Sequence, residues 1–368
     1  MRKFKWRQNT GFILVILITL FMFLKAKEKL MKREDEAEGS VPEAGLWWQT
    51  LLCGNRRQEK AEKTLPLPML FREAAAAASD ANVFLTETSC RARPAPRAWC
   101  AVESWARQNP ASRVWYLLTA PQLDDSDGVA SLLLRAYGNL RFASLDAGEL
   151  FKGTALEGVF SSAAWFLHSA SPAVVLSDLL RAALVWRFGG FYCDSDTVCL
   201  KDTSALRNVA SYAQQDIGKI GSFCFHFRDH HRFLETLMEV QRENFQPNTW
   251  DSVGPLSFTK TSRRLCGEDD LSRLSPAGST TPVSCGDFRL LPPRFLTPVL
   301  FYDVGEIFAP GAGRDFARKF NSTYVLHTYT SRSKDIAFRA GSESHFDVAA
   351  KLSCPITYEL LLRNATTV

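Results

Sequence analysis

The run Ser177–Asp196, SDLLRAALVWRFGGFYCDSD, constrains this chain more than any other, because a helical pattern, a glycine break and a strand pattern follow one another there with charges at fixed places. Ser177 reads as an N-cap, Leu180, Ala183, Leu184 and Phe188 recur at helical spacing, and Gly189-Gly190 supplies the stop. The spacing predicts a helix over 178–188 and a short strand over 191–193. Eleven helical residues rise about 16 Å, and the return from Gly190 to Asp194 covers about 13 Å at strand rise. A chain that reverses at the glycines therefore brings Asp194 and Asp196 back beside Asp178 and Arg181. Asp178 and Arg181 share a helix face at i,i+3, and Asp194 and Asp196 share one side of extended chain at i,i+2. Four charged groups are expected to converge on one ligand.

Two carboxylates one residue apart suit a hard divalent cation such as Mn²⁺ or Mg²⁺, which takes oxygen ligands and leaves positions for phosphate oxygens and water. Cleavage of a sugar from a nucleoside diphosphate builds negative charge on the leaving group, and a cation neutralises it. A bare Asp-x-Asp is more often a solvated turn, so the surrounding residues decide. A zinc reading of Cys193 and Cys199 is weak, since C-x5-C with no nearby histidine is poor ligand spacing.

Those surroundings resemble the Asp-x-Asp sugar-binding region of the alpha-1,4-glycosyltransferases. The likeness continues in family order through NVFLTETS at 82–89, CAVES at 100–104, SRVWYLL at 112–118, WDSVGPLSFTK from 250, LPP at 291–293, VLHTY at 325–329 and CPITYE at 354–359, covering about residue 82 to the end. The resemblance implies that Asp178 and Arg181 contact the donor sugar, Asp194 the ribose and sugar, and Asp196 the metal. It offers His327 as a further ligand to the metal or diphosphate, against the bland reading of a satisfied strand histidine. Where related chains often read W-x-x-Q-G-P and H-x-W-N, this one has Trp250-Asp251-Ser252-Val253-Gly254-Pro255 and His327-Thr328-Tyr329-Thr330, so Trp250, Gly254 and Pro255 mark a candidate acceptor or donor loop. The implied reaction moves galactose from UDP-galactose to a terminal galactose of a glycolipid, with retention and with Mn²⁺ (or Mg²⁺). UDP-GlcNAc or UDP-GalNAc is the alternative donor, and a catalytically silent membrane-tethered scaffold is the alternative of another class. No residue stands out as a nucleophile.

Phe12–Leu24 is an apolar run flanked by Arg2, Lys3, Lys5 and Arg7 before it and Lys25, Lys27 and Lys29 after it. It falls short of the roughly twenty residues that span a bilayer, yet no small-residue cleavage site follows, and basic side chains at both ends can snorkel. The run is read as an uncleaved signal anchor over 12–24, with a cytoplasmic tail at 1–11 and a lumenal stem at 25–81. By family resemblance this makes a single-pass type II Golgi membrane protein. Nine of the 44 Lys and Arg and one of the 39 Asp and Glu lie in residues 1–33, leaving 35 against 38 on the remainder, a balance of −3. That excludes the basic folded domain expected of a nucleic-acid binder.

Nine cysteines and the sequons at Asn321 and Asn364 suit an oxidising, lumenal setting. Cys90 and Cys100 bracket a Pro- and Arg-rich segment, and Cys266 and Cys285 a polar loop, so local bridges are expected at both, with Cys354 a candidate partner for the first group. Cys53, in the stem, is the candidate for a bridge between two copies in a homodimer. From Asn82 onward, strand-like and helical segments alternate: NVFLTE, 99–109, VWYLL, SLLLRAY, LRFASLD, 178–188, FYC, FCFHF and 230–244. The expected fold is α/β, one GT-A-like nucleotide-sugar-binding domain over 82–368 with a mostly parallel central sheet, its ligands beyond the carboxyl ends of the strands.

Overall fold

The consecutive apolar residues Val83, Phe84 and Leu85, flanked by helix-forming segments, build the middle of a sheet because both faces of that strand are covered. The computed structural model describes residues 46–54, 61–73, 77–249 and 251–365. In chain order the strands are β1 (Thr64–Pro66), β2 (Asn82–Glu87), β3 (Arg113–Leu118), β4 (Gln122–Asp124), β5 (Leu140–Ser144), β6 (Gly190–Cys193), β7 (Thr197–Cys199), β8 (Val209–Gln214), β9 (Lys219–Ile220), β10 (Cys224–Phe227), β11 (Val283–Cys285), β12 (Phe288–Leu291) and β13 (Val325–His327). Nine of them form one sheet in the order β11-β12-β8-β10-β6-β2-β3-β5, with β9 on β8.

The sheet is mixed, not mostly parallel. β5, β3, β2 and β6 run parallel, as does β12 beside β8, but β10 lies antiparallel to both β6 and β8. The cause lies in the connection. Parallel neighbours need a crossover, usually a helix, and residues 194–223 between β6 and β10 contain only short strands and turns.

The helix leading to the motif spans Pro172–Phe188. Ser177 is therefore interior and not the N-cap. Pro172 sets the first helical position, where its missing N–H costs nothing, and Ser177 turns its hydroxyl to Tyr192 Oη, 3.1 Å away. The glycines end the helix as the sequence indicates. Gly190 has φ of 101°, and a Cβ there would fall 2.2 Å from the Asn82 carbonyl oxygen, so only glycine lets β6 close on β2.

The folded unit begins at Trp47, well before the residue 82 boundary set by composition. The helix Trp47–Cys53 buries Trp48 against Phe160, and β1 pairs with β4. Short, separate anchors of this kind leave no apolar periodicity for a sequence reading to find. Cys53 bonds Cys90 within the chain, which removes both the dimer bridge and the Cys90–Cys100 bridge, since Cys100 joins Cys354. Cys266 joins Cys285 and Cys193 joins Cys224, leaving Cys199 buried as a thiol. Phe12–Leu24 lies outside the described residues, among which no helix is long and apolar enough to cross a membrane.

Two small contacts set the position of the site. β7, just after the acidic pair, leaves the main sheet and pairs antiparallel with β13, so that Thr197 faces His327. The helix Pro96–Gln108 fastens β7 from beneath: Trp105 Nε1 donates to Thr197 Oγ1 at 3.1 Å, and Cys199 N donates to Ser104 Oγ at 2.9 Å.

Candidate active site

Arg181 is the hub of the site. Its side chain is 4 % exposed, and one terminal nitrogen lies 3.0 Å from Asp178 Oδ1 and 3.1 Å from Asp194 Oδ1. The other terminal nitrogen donates to Ser222 O at 2.7 Å, and Nε donates to Ser177 O at 3.1 Å. The guanidinium also lies over the Tyr192 ring, 4.7 Å from its centroid. Burial alone would lower its basicity, but the two carboxylates hold it above its ordinary value. A fixed cation so placed orients both acids at once.

Asp178 is buried, and burial pushes its carboxyl up to about 6; Arg181 and Ser222 oppose that push, and Asp194 and Asp251 add to it. Asp194 is likewise raised by burial, although Arg181, His327 and the Tyr192 hydroxyl, which donates to Oδ1 at 2.9 Å, favour its ionised form. Asp196 goes the other way. Burial works against its charge, yet His327 Nε2 at 3.0 Å from Oδ1 and the Thr330 N–H at 2.7 Å from Oδ2 bring it down to about 2. Three acids in one small site thus have three different environments, which is the pattern of a built polar centre.

The acidic pair lies in a turn between β6 and β7, not on one side of a strand. Asp194 turns toward Arg181 and Tyr192, and Asp196 toward His327 and Thr330. Asp196 makes no direct bond to Arg181, so the expected four-way convergence becomes two adjoining groups that share Asp194. The second group is Asp194, Asp196 and His327, whose ligand atoms all lie within 4.8 Å of one another. His327 is 8 % exposed and clamped between Phe223, stacked at 4.2 Å, and Tyr329 at 3.9 Å. Its Nδ1 is buried without a hydrogen-bond partner. Two carboxylates and an imidazole in one such cluster are a donor set that suits a divalent cation.

Gly254 closes the pocket behind Asp178. A Cβ on it would stand 2.7 Å from Asp178 Oδ2, and Gln241 Nε2 ties the two segments by donating to Asp178 O at 2.9 Å and Val253 O at 2.6 Å. Pro255 starts the helix Pro255–Cys266 that carries this loop. Trp250 lies outside the described residues. Asn321 is exposed on the turn before β13, while Asn364 falls in the helix Pro355–Ala365 and Thr366 of its sequon lies outside the described residues. A separate cleft lined by Phe308, Ile336, Phe338 and Ser344 among others includes none of the charged centre.

Tyr192, Ser222, Phe223 and Thr330 were not singled out by sequence. Tyr192 carried a signal, since its i,i+2 spacing to Asp194 matches the strand period. Thr330 acts through its backbone N–H, which no side-chain pattern reports.

Two known sequence regions map onto this geometry. The alpha 1,4-glycosyltransferase conserved region matches residues 226–361, and the glycosyltransferase sugar-binding region containing the DXD motif matches residues 96–214. The chain is an alpha-1,4-glycosyltransferase relative. It is 28 % identical over 326 residues to lactosylceramide 4-alpha-galactosyltransferase of Rattus norvegicus, covering 86 % of each chain. Over 289 residues it is 28 % identical to the Homo sapiens protein of that name, covering 76 % of this chain and 77 % of that one. Over 300 residues it is 27 % identical to alpha-1,4-N-acetylglucosaminyltransferase of Homo sapiens, covering 76 % and 80 %. In this chain the first matched region supplies His327 and Gly254, and the second supplies Asp178, Arg181, Asp194 and Asp196.

Proposed function

We propose that the chain is a Mn²⁺-dependent transferase that moves galactose from UDP-galactose to a terminal galactose of a glycolipid, forming an alpha-1,4 linkage with retention. The observation that carries the reading is the convergence of Asp194, Asp196 and His327 within 4.8 Å, one salt bridge away from Asp178 and Arg181. The named relatives supply the donor and acceptor classes. The anchor, the lumenal orientation and a Golgi membrane location belong to the same proposal.

Asp194, Asp196 and His327 would hold the ion. Bound there, a divalent cation supplies Lewis-acid neutralisation of the departing diphosphate. The chain's own residues do the rest. Asp196 stays ionised far below neutral pH, so a full negative charge is always present at the ligand cluster. Arg181, already oriented by three hydrogen-bonded partners, fixes the Asp194 carboxylate and costs no reorganisation when charge develops nearby. Asp178, ionised at neutral pH and closed in by Gly254, is the acceptor group for donor-sugar hydroxyls. Phe223 and Tyr329 keep the imidazole in one plane and exclude water from its faces.

The deciding assay measures UDP release and product linkage with UDP-galactose, UDP-GlcNAc and UDP-GalNAc on a lactoside acceptor, with Mn²⁺ or with chelator. UDP-galactose with Mn²⁺ should turn over fastest and chelation should stop it. An Asp196→Ala protein with full activity in chelator would refute the reading.

A further inference from the structure

Beside the ligand cluster stands a surface that the donor chemistry leaves unused. Tyr302 is 75 % exposed, more than any other large apolar or aromatic side chain among the described residues. It sits in the turn Phe301–Asp303 and is held rather than loose. Phe301 meets it edge-on at 5.4 Å, and the Arg332 guanidinium lies 5.0 Å from the Phe301 centroid and 5.8 Å from the Tyr302 centroid. The cation packs against the aromatic pair, while most of the Tyr302 side chain remains open to solvent.

The platform is tied to the ligand cluster by two routes. Ring to ring, Phe301 meets Tyr329 at 5.5 Å and Tyr329 meets His327 at 3.9 Å. Along the backbone, Arg332 lies two residues beyond Thr330, whose N–H binds Asp196, in the short helix Thr330–Ser333. Tyr329 links both routes: its hydroxyl donates to Val299 O at 3.0 Å, and its φ of 48° is in the left-handed region that non-glycine residues seldom occupy. Strained backbone of this kind persists where surrounding contacts over-determine it, and it clusters at functional sites.

We propose that Tyr302, with Phe301 and Arg332, is an acceptor-sugar subsite, where a pyranose ring of the acceptor glycan lays its C–H face on the exposed face of Tyr302 and Arg332 donates to its hydroxyls. This rests on the transferase reading above. A transferase must hold its second substrate within a short oligosaccharide's span of the leaving group, and the platform is built on the residues that flank that point. A sugar combines a C–H patch with a rim of hydroxyls, which an aromatic face and a guanidinium fork match. The exposed Asp303 in the same turn and Arg332 beside it suit a hydroxylated ring better than hydrocarbon.

The test compares the full chain with Tyr302→Ala, Tyr302→Phe and Arg332→Ala, varying a lactoside acceptor at saturating UDP-galactose and Mn²⁺. Acceptor KM should rise on the order of tenfold in Tyr302→Ala while donor KM holds, should rise less in Arg332→Ala, and should stay near wild type in Tyr302→Phe. An unchanged acceptor KM in a Tyr302→Ala protein with wild-type melting temperature overturns the subsite, as does a Tyr302→Phe protein as weak as the alanine variant. Loss of binding to lactosylceramide-free vesicles with acceptor KM unchanged would make the surface a membrane contact and also overturn it. A wild-type chain that neither transfers nor hydrolyses UDP-galactose sinks the proposed function instead, and lactose binding by saturation-transfer NMR to wild type against Tyr302→Ala then still decides the subsite.

Discussion

Cys193 and Cys224 face each other across the antiparallel pair of β6 and β10, joined by a disulfide that lies one residue before Asp194 and one residue after Phe223. The adjoining hydrogen bond, Asp194 N to Phe223 O at 2.8 Å, continues the ladder. The bridge therefore fixes the residue that supplies a carboxylate and the residue whose ring stacks on His327.

Replacing both cysteines by serine should cost about 2–5 kcal/mol of stability and weaken Mn²⁺ binding as well. The Cys266–Cys285 pair closes a loop remote from the acids, so its double serine variant should lose stability alone. Melting temperatures and Mn²⁺ titrations on the two variants make the comparison. Equal Mn²⁺ affinity in both would show that the β6–β10 bridge has no hold on the site.

Gly254→Ala forces a methyl group against a carboxylate that cannot swing away, because Asp178 is already held by Arg181. Overpacking of this kind costs about 1–3 kcal/mol, and here the displaced group is the carboxylate that the proposed function assigns to the donor sugar. Donor KM should rise with a modest drop in melting temperature. A variant with wild-type donor KM would show that the loop carrying Gly254 yields without disturbing Asp178.

Much of this site was readable in the sequence because its first half is local. Asp178, Arg181 and Asp194 meet through one helix, one glycine break and one strand, and periodicity alone predicts that meeting. His327 lies 131 residues beyond Asp196, and only the family pattern drew attention to it; the β7–β13 pairing that delivers it uses three-residue strands too short to carry a periodic signal. The antiparallel placement of β10 escaped for a related reason, since FCFHF reads the same in either direction. Cys53 reads as a stem cysteine in the sequence because a helix of seven residues, Trp47–Cys53, cannot announce that Trp48 is fully buried.

Arg97 holds the far side of the segment that wraps Asp196. One terminal nitrogen donates to Ser333 O at 3.0 Å and Ser333 Oγ at 2.9 Å, the other to Ile336 O at 2.5 Å, and its guanidinium lies 4.6 Å from the Phe308 centroid. Ser333 Oγ in turn donates to Thr328 O at 2.7 Å, closing the turn that contains Thr330. Arg97→Lys keeps the charge but cannot serve three acceptors in a planar fork. The Mn²⁺ concentration for half-maximal activity should rise several-fold in the lysine variant and further in Arg97→Ala. An alanine variant that binds Mn²⁺ like wild type would leave Arg97 as packing only.

Asp178 should leave a signature in stability against pH. Its carboxyl is raised by burial from an ordinary 3.8 to about 6 in the folded chain, so between those values the folded state keeps a proton that the unfolded chain has released. Stability from this group is full below about pH 4 and is lost as pH rises through about 6. Asp178→Asn carries no charge at any pH and removes that dependence. Asp194 is shifted in the same direction and its charge adds to the Asp178 shift, so the difference between the two proteins reports the Asp178 carboxyl together with its coupling to Asp194. Urea unfolding of the metal-free proteins at pH 4, 5, 6 and 7 should show the variant gaining on wild type across the window and tracking it above pH 7. Parallel curves throughout would mean that Arg181 keeps Asp178 ionised in the folded state at every pH tested, and the order in which the three acids of this site take up protons would have to be redrawn with Asp194 first.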